Sequence, residues 1–425
     1  MSSDSVAPHT YARALRAVRY DPGRVDMGRV LAPPYDVLSE EEKLALCRLD
    51  RHNVVRIDNA DPCQEGGADG YELAAKRLSE WLGEGVLVRE PNPSVYVVEH
   101  EFRVPATGGI HRRIGLLARL PALPWSESRV RPHERTHKGP KEDRLRLMKA
   151  THLQTSPVFV VWDGAPPLGD LICASKAKRS ALFRTEFRRD AIALSRVDHS
   201  DAVNSILAAL EPARWYIADG HHRYETAVAA AAEAGNGNGG GNSGFILTYC
   251  CSARDPSLVI LPTHRMIAAD VELGIPDEGL PVALGETWKS RPAGSLDEAE
   301  RERERLKVDG YHAFAVITPG ALSVWFRRRR EGGRPRGQLD ITVLHEEVFP
   351  ACGIPTDAPP GQVEYSHDAE ACVRAVREHA VKAAFLTSAC SMVDVMAVAD
   401  ARETMPQKST YFFPKVPTGL AFSPL

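Results

Sequence analysis

Asp219-Gly220-His221-His222-Arg223 brings a carboxylate, two imidazoles and a guanidinium into one short stretch. An apolar run, Trp215 to Ala218, precedes it, and an alanine-rich segment, Tyr224 to Ala234, follows. A short β-run, a glycine turn and a strong helix former predict a strand–turn–helix junction. Such a junction aims free backbone N–H groups and the positive end of a helix dipole at one point. An anion, phosphate above all, is the ligand that this arrangement suits. A helix N-cap, worth about 1 kcal/mol, would explain Asp219 alone. It leaves His221, His222 and Arg223 unexplained. A carboxylate repels phosphate unless a cation separates them, and magnesium bridges the two. Asp219 is therefore expected to be a magnesium-side or proton-handling group, with His221 beside it in catalysis. Arg223 is expected to be a bidentate phosphate clamp, with Gly220 and His222 completing the phosphate site.

A second polar cluster runs from His133 to Arg144. Gly139-Pro140 suits a helix start, with proline in the first turn. The helix that follows is expected to bury Leu145 and Met148, leaving Glu134, Lys138, Lys141 and Arg144 on the preceding loop and first turn. Glu134 has the chemistry of a general base for a hydroxyl, and the three cations that of a triphosphate cradle. A solvated, salt-bridged loop accounts for the same residues. Thr263-His264-Arg265, directly after the apolar run Leu258–Leu261, forms a third polar group at a strand end, where α/β sheets bind ligands. It joins the expected phosphate or nucleotide site; a simple turn is the alternative.

Three patterns point elsewhere and are set aside. His133-Glu134-Arg135-Thr136-His137 spells the zinc-peptidase pattern, but Pro132 before it and Gly139-Pro140 after it leave at most about one and a half helical turns. Gly235, Gly237 and Gly240 fit a dinucleotide fingerprint only in letters, because they follow a helix and lie in a Gly/Asn tract. Arg327-Arg328-Arg329-Arg330 ends a strand and runs into Glu331-Gly332-Gly333, which reads as a solvated hairpin loop.

The elements that must position these groups are legible in outline. Ser39 with Glu42 predicts a capped helix, Tyr71 to Leu82 an amphipathic one, and Val95–Val98 with Ile114–Ala118 a strand pair. Further strands are expected at Pro157–Trp162, Phe245–Tyr249, Ala313–Ile317 and Leu322–Phe326, with a charged helix from Asp297 to Leu306. Helices and strands alternate irregularly, so the expected fold class is α+β. The expected division is residues 12–267 as a phosphate- and nucleotide-binding domain, with a flexible insertion at 235–244, and 268–425 as a smaller C-terminal α+β region with an ordered tail. The 425 residues carry 43% apolar and 26% charged side chains and a net charge of −3. That balance gives no global attraction to nucleic acid or anionic membrane, so neither is an expected partner. There is no apolar run of about 18 residues and no signal-peptide pattern at the start, so a cytoplasmic protein is expected. The eight cysteines have no Cys-x-x-Cys pair and read as reduced thiols.

Several of these motifs recur together: Ala32-Pro33-Pro34-Tyr35-Asp36-Val37, the Glu134–Thr136 and Lys141–Arg144 cluster, Ala218–Arg223, Pro262–Arg265 and Met405–Thr410. In this order the chain resembles the domain-of-unknown-function family numbered 1015, from about Ala12 to Leu425. Asp-Gly-His-His-Arg also resembles the phosphate-site motif of free serine kinases in the ParB/sulfiredoxin-like superfamily. That resemblance implies a ParB/sulfiredoxin-like core, magnesium, and ATP or ADP as phosphate donor to the hydroxyl of free L-serine or a serine-like amino acid. It carries over to Asp219, His221, His222 and Arg223, whereas Glu134 rests on its chemistry alone. No P-loop pattern is present. A phosphoserine-type phosphatase and a non-catalytic nucleotide sensor stay open beside the kinase.

Overall fold

The computed structural model describes residues 10–60, 62, 69–105, 107–134, 139–233, 235, 244–276, 280–359 and 361–425. Lys138, and 236–243 of the Gly/Asn insertion, lie outside the described residues. The chain is a mixed α+β fold with several sheets, and its internal contacts divide it into two units. The first comprises residues 1–131, 136–259 and 412–425; the second comprises 132–135 and 260–411. The division thus falls at 259/260 instead of 267/268. The final residues also belong to the first unit, because Phe412, Val416, Leu420, Ala421 and Phe422 are buried in it.

The first unit is built on strands β1 (Val95–Arg103), β2 (Ile110–Pro121), β3 (Val130–Arg131), β4 (Val158–Asp163), β5 (Ser180–Phe187), β6 (Asp190–Val197), β7 (Arg214–Asp219) and β8 (Phe245–Ser252). They form one sheet in the order β3-β7-β4-β8-β2-β1-β6-β5. Neighbouring strands are antiparallel except β3–β7 and β4–β8, which are parallel. Its helices include α1 (Glu40–Leu49), α2 (Gly70–Gly83), α3 (Gly139–Thr151), α4 (Ser200–Ala209) and α5 (His221–Glu233). Ser39 and Glu42 form the expected capping box at the start of α1. The β5–β6 hairpin is absent from the sequence expectations; its mixed, half-exposed strands give a weak alternation signal.

Strand β4 is buried along its whole length, because the sheet is covered on both faces. Val158, Val160 and Trp162 point into one core with Trp215 and Ile217 of β7 and Tyr224, Ala227 and Ala231 of α5. Phe159 packs on the other face against Tyr249 and Phe412. The period-two alternation of β4 and β7 therefore fixes which end of each strand meets α5.

In the second unit, β9 (His264–Ala268), β10 (Lys289–Pro292), β11 (Tyr311–Ile317), β12 (Leu322–Arg328), β13 (Val363–Ser366) and β14 (Val381–Leu386) form an antiparallel sheet. Its order is β10-β12-β11-β14-β9-β13. Helices α6 (Leu296–Val308) and α7 (Ala369–Arg377) supply Ala299, Leu306, Cys372, Val373 and Val376 to its core. Cys47 is disulfide-bonded, so the expectation of eight reduced thiols fails there; Cys63 lies outside the described residues. Cys173, Cys250, Cys251, Cys352, Cys372 and Cys390 are free. No helix among the described residues is long and apolar enough to cross a membrane.

Candidate functional site

The junction forms as expected, but the helix begins at His221, three residues before the alanine run. Strand β7 ends at Asp219 with a register shift against β4 between Ile217 and Asp219. Gly220 turns the chain at φ +90°, and a Cβ there would lie 2.9 Å from Arg223 Nε, so the turn requires glycine for two reasons. The guanidinium lies across this bare backbone. Arg223 is buried, donating from Nη2 to Asp219 Oδ2 at 2.6 Å and from Nη1 to Ser156 Oγ at 3.0 Å and to Pro157 O. Burial opposes its charge, but Asp219, with Asp36, Tyr35 and Asp58 behind it, pushes its pKa above the ordinary value. His221 is buried and His222 half-buried at the start of α5.

The other Asp219 oxygen, Oδ1, accepts from Lys415 Nζ. Lys415 is positioned by its neighbours. Fully buried Arg113 donates to Phe413 O at 3.0 Å, to Pro414 O at 2.8 Å and to Tyr249 Oη at 3.1 Å. Two expectations are corrected by this geometry. The described residues do not fit magnesium at Asp219, because each carboxylate oxygen already faces a cation of the chain. No group of three or more His, Cys, Asp or Glu side chains among the described residues could hold a metal ion. Nor is Arg223 a free bidentate clamp, since both its terminal nitrogens bond protein acceptors. The cation that faces Asp219 Oδ1 is Lys415, which local sequence gives no reason to choose.

Arg144 is also buried, on the inner face of α3 with Leu147, Met148 and Thr151; Leu145 is only half-buried. The i, i+3, i+4, i+7 spacing includes the arginine because its head is fully paired. It bonds Asp143 Oδ2 at 2.8 Å and Asp58 O at 2.5 Å, and its guanidinium carbon lies 4.2 Å from the centre of the Tyr35 ring. Arg144 and Arg223 together line a cavity of about 30 Å³ with Tyr35, Asp58, Thr155 and Ser156. Burial, then Asp36, pushes Tyr35 up to about 12, so its phenol keeps its proton as a donor. Asp58 accepts from Thr155 Oγ1 at 2.6 Å, while its buried Oδ2 has no hydrogen-bond partner. Lys141 pairs with Glu225 of α5, so it staples two helices and is not a free phosphate ligand.

Glu134 belongs to the second unit and Asp219 to the first. Its backbone pairs with Met405, and its Oε1 accepts from Ser409 N at 3.0 Å, Thr410 N at 3.2 Å and Thr410 Oγ1 at 3.3 Å. Two of the recurrent sequence motifs are thus one structural object. His133 is fully buried, with Nε2 2.9 Å from Thr410 Oγ1, while His137, the second histidine of the zinc-peptidase pattern, lies outside the described residues. Arg327, expected in a solvated loop, is buried and paired with Glu347.

Thr263, His264 and Arg265 are interior residues, which corrects their expected place in a phosphate site. Arg265 is fully buried and donates to Thr263 O, to Gln407 O and Lys408 O at 3.1 Å, and to His345 Nε2 at 3.2 Å. His264 Nδ1 accepts from Thr387 N at 3.2 Å. Burial, then nearby Arg303, pushes His264 down to about 3; burial, then Arg265, does the same to His345, also to about 3. Both are neutral when folded, whereas the unfolded chain takes up their protons from about pH 6.5 downward. The unfolded state then binds more protons, so stability is expected to fall as pH drops from about 6.5 towards 3. Urea unfolding at about pH 7.5 and 5 checks this, and His345→Gln should flatten the dependence.

Among curated proteins none matches. A free serine kinase solved in complex with AMP is 14% identical with a TM-score of 0.37, over 72% of this chain and 92% of that one. A conserved hypothetical protein from Pyrococcus furiosus is 14% identical with a TM-score of 0.36, over 72% and 95%. C-terminally truncated SbnI from Staphylococcus aureus is 11% identical with a TM-score of 0.33, over 72% and 87%. These structural likenesses are distant. The family model described as protein of unknown function DUF1015 matches residues 12–342, and the chain belongs to that family.

Proposed function

We propose that the chain is a nucleotide-dependent phosphotransferase acting on the hydroxyl of a small metabolite, with free L-serine or a serine-like amino acid first among acceptors. One observation carries it. Asp219, at a strand end directly before a helix N-terminus, is bracketed by Lys415 and Arg223. An incoming phosphoryl group therefore meets two cations and the first-turn amides of α5, not a bare carboxylate. Phosphoryl transfer asks a protein chiefly for position and charge neutralisation, which this arrangement supplies. The adjoining cavity of about 30 Å³ has room for roughly two waters or one oxyanion, so a nucleoside lies outside it. The Asp-Gly-His-His-Arg resemblance to free serine kinases supports the acceptor class. Glu134 is proposed separately as a proton acceptor, because its Oε2 has no partner among the described residues while Oε1 is anchored by two amides.

The test is direct. The protein is incubated with ATP or ADP, with and without magnesium, and a pool of hydroxylated metabolites including L-serine, and products are read by mass spectrometry. A phosphorylated product with stoichiometric nucleotide loss supports the proposal. Phosphate release from phosphoserine without nucleotide would replace it with a phosphatase. Nucleotide affinity without any product would leave a sensor.

A further inference from the structure

We infer a second ligand site, wholly within the second unit and independent of the function proposed above, that takes a small oxyanion carrying a hydroxyl group. A cavity of about 250 Å³ lies there, its lining including His312, Arg327, Arg330, Thr342, Glu346 and Glu347. That volume admits a small metabolite. Three features of the lining indicate a ligand.

The first is Thr342, which is 1% exposed and whose Oγ1 has no hydrogen-bond partner. A helical threonine ordinarily bonds back to a carbonyl one turn earlier, and a buried hydroxyl left without a partner is costly. Directly after it, Leu344–Val348 forms a π-helical turn carrying Glu346 and Glu347. Such turns break the regular ladder and gather at functional sites.

The second is His312, 1% exposed, whose Nδ1 lies 2.8 Å from Asp340 Oδ1. Arg329 Nη2 donates to the same oxygen at 3.1 Å, so one Asp340 oxygen engages both groups and holds the ring by its Nδ1 side. Nε2, the other ring nitrogen, has no hydrogen-bond partner among the described residues. It can hydrogen-bond a ligand's hydroxyl group, as Thr342 Oγ1 can.

The third is charge. Glu347 holds Arg327 through two bonds of 2.9 and 2.6 Å, and Arg336 pairs with Glu346 at 2.6 Å. With these charges matched, exposed Arg330 stands without a side-chain partner among the described residues. A guanidinium is suited to a carboxylate or phosphate. An oxyanion on Arg330 and a hydroxyl on His312 and Thr342 would complete the lining.

Calorimetry on the full chain at low salt tests this with three probes: malate, glycerol 3-phosphate and succinate. Saturable binding of malate or of glycerol 3-phosphate is expected, and which of the two binds tells carboxylate from phosphate. Succinate, lacking the hydroxyl, should bind roughly tenfold more weakly than malate. Arg330→Gln is expected to weaken binding roughly tenfold or more, and exposed Arg328→Gln to leave it unchanged. Thr342→Val should abolish the preference for malate over succinate without lowering the melting temperature, which a merely structural hydroxyl would not do. Binding equal in wild type and Arg330→Gln, or no saturable binding of any probe to about 10 mM, overturns the site. Asp219→Asn should leave it intact, so its failure is distinguishable from failure of the phosphotransferase.

Discussion

Arg223→Met is expected to lower the unfolding free energy by about 3 kcal/mol, shifting the urea midpoint while the slope stays constant. The methionine fills most of the space, so the loss is electrostatic. Asp219 Oδ2, Ser156 Oγ and Pro157 O each lose the guanidinium as donor. Removing one partner of a buried pair costs about 3–5 kcal/mol because the other is left uncompensated. Lys415 still faces Oδ1, which places the expected loss at the lower end. Arg223→Lys should rescue little, since one ammonium cannot serve three acceptors in the plane that a guanidinium fills. A loss below about 1 kcal/mol would mean that these bonds do not hold the turn.

That turn was the most legible part of the molecule. An apolar run, a glycine and an alanine-rich segment leave few alternatives to strand, turn and helix, and the Ser39–Glu42 cap and the β1–β2 pair are equally local signals. What resisted reading lies far apart in sequence. Lys415 is 196 residues from the carboxylate it pairs with, and no periodicity or motif joins them. Arg113 reaches Lys415 only by holding the carbonyls of the two residues before it. Arg144 was hidden in another way. Among charged neighbours it looks like a surface residue, yet it occupies the buried face of α3 because Asp58, Asp143 and the Tyr35 ring all meet it. Thr263–Arg265 shows the reverse error. A polar cluster at a strand end looks like a ligand site, but the carbonyls of Gln407 and Lys408 take the guanidinium, and only the fold reveals them.

Asp219→Asn is expected to reduce phosphotransfer by about a thousandfold, the scale of losing one well-placed electrostatic group from a transition state. The amide has the carboxylate's shape but no charge. Lys415 and Arg223 would then face one another across a neutral group, and mutual repulsion would move Lys415, the less buried of the two, off the position that Asp219 holds. A cost of about 1–3 kcal/mol in stability should accompany this, because the amide can accept only one of the two bonds. Lys415→Met separates the two effects. It leaves the Asp219–Arg223 pair intact, so it should lose activity with a smaller loss of stability. If Asp219→Asn turned over like wild type while Lys415→Met did not, the lysine itself would meet the phosphoryl group and Asp219 would only hold the turn. If both kept wild-type turnover, the bracketed carboxylate would have no part in the chemistry.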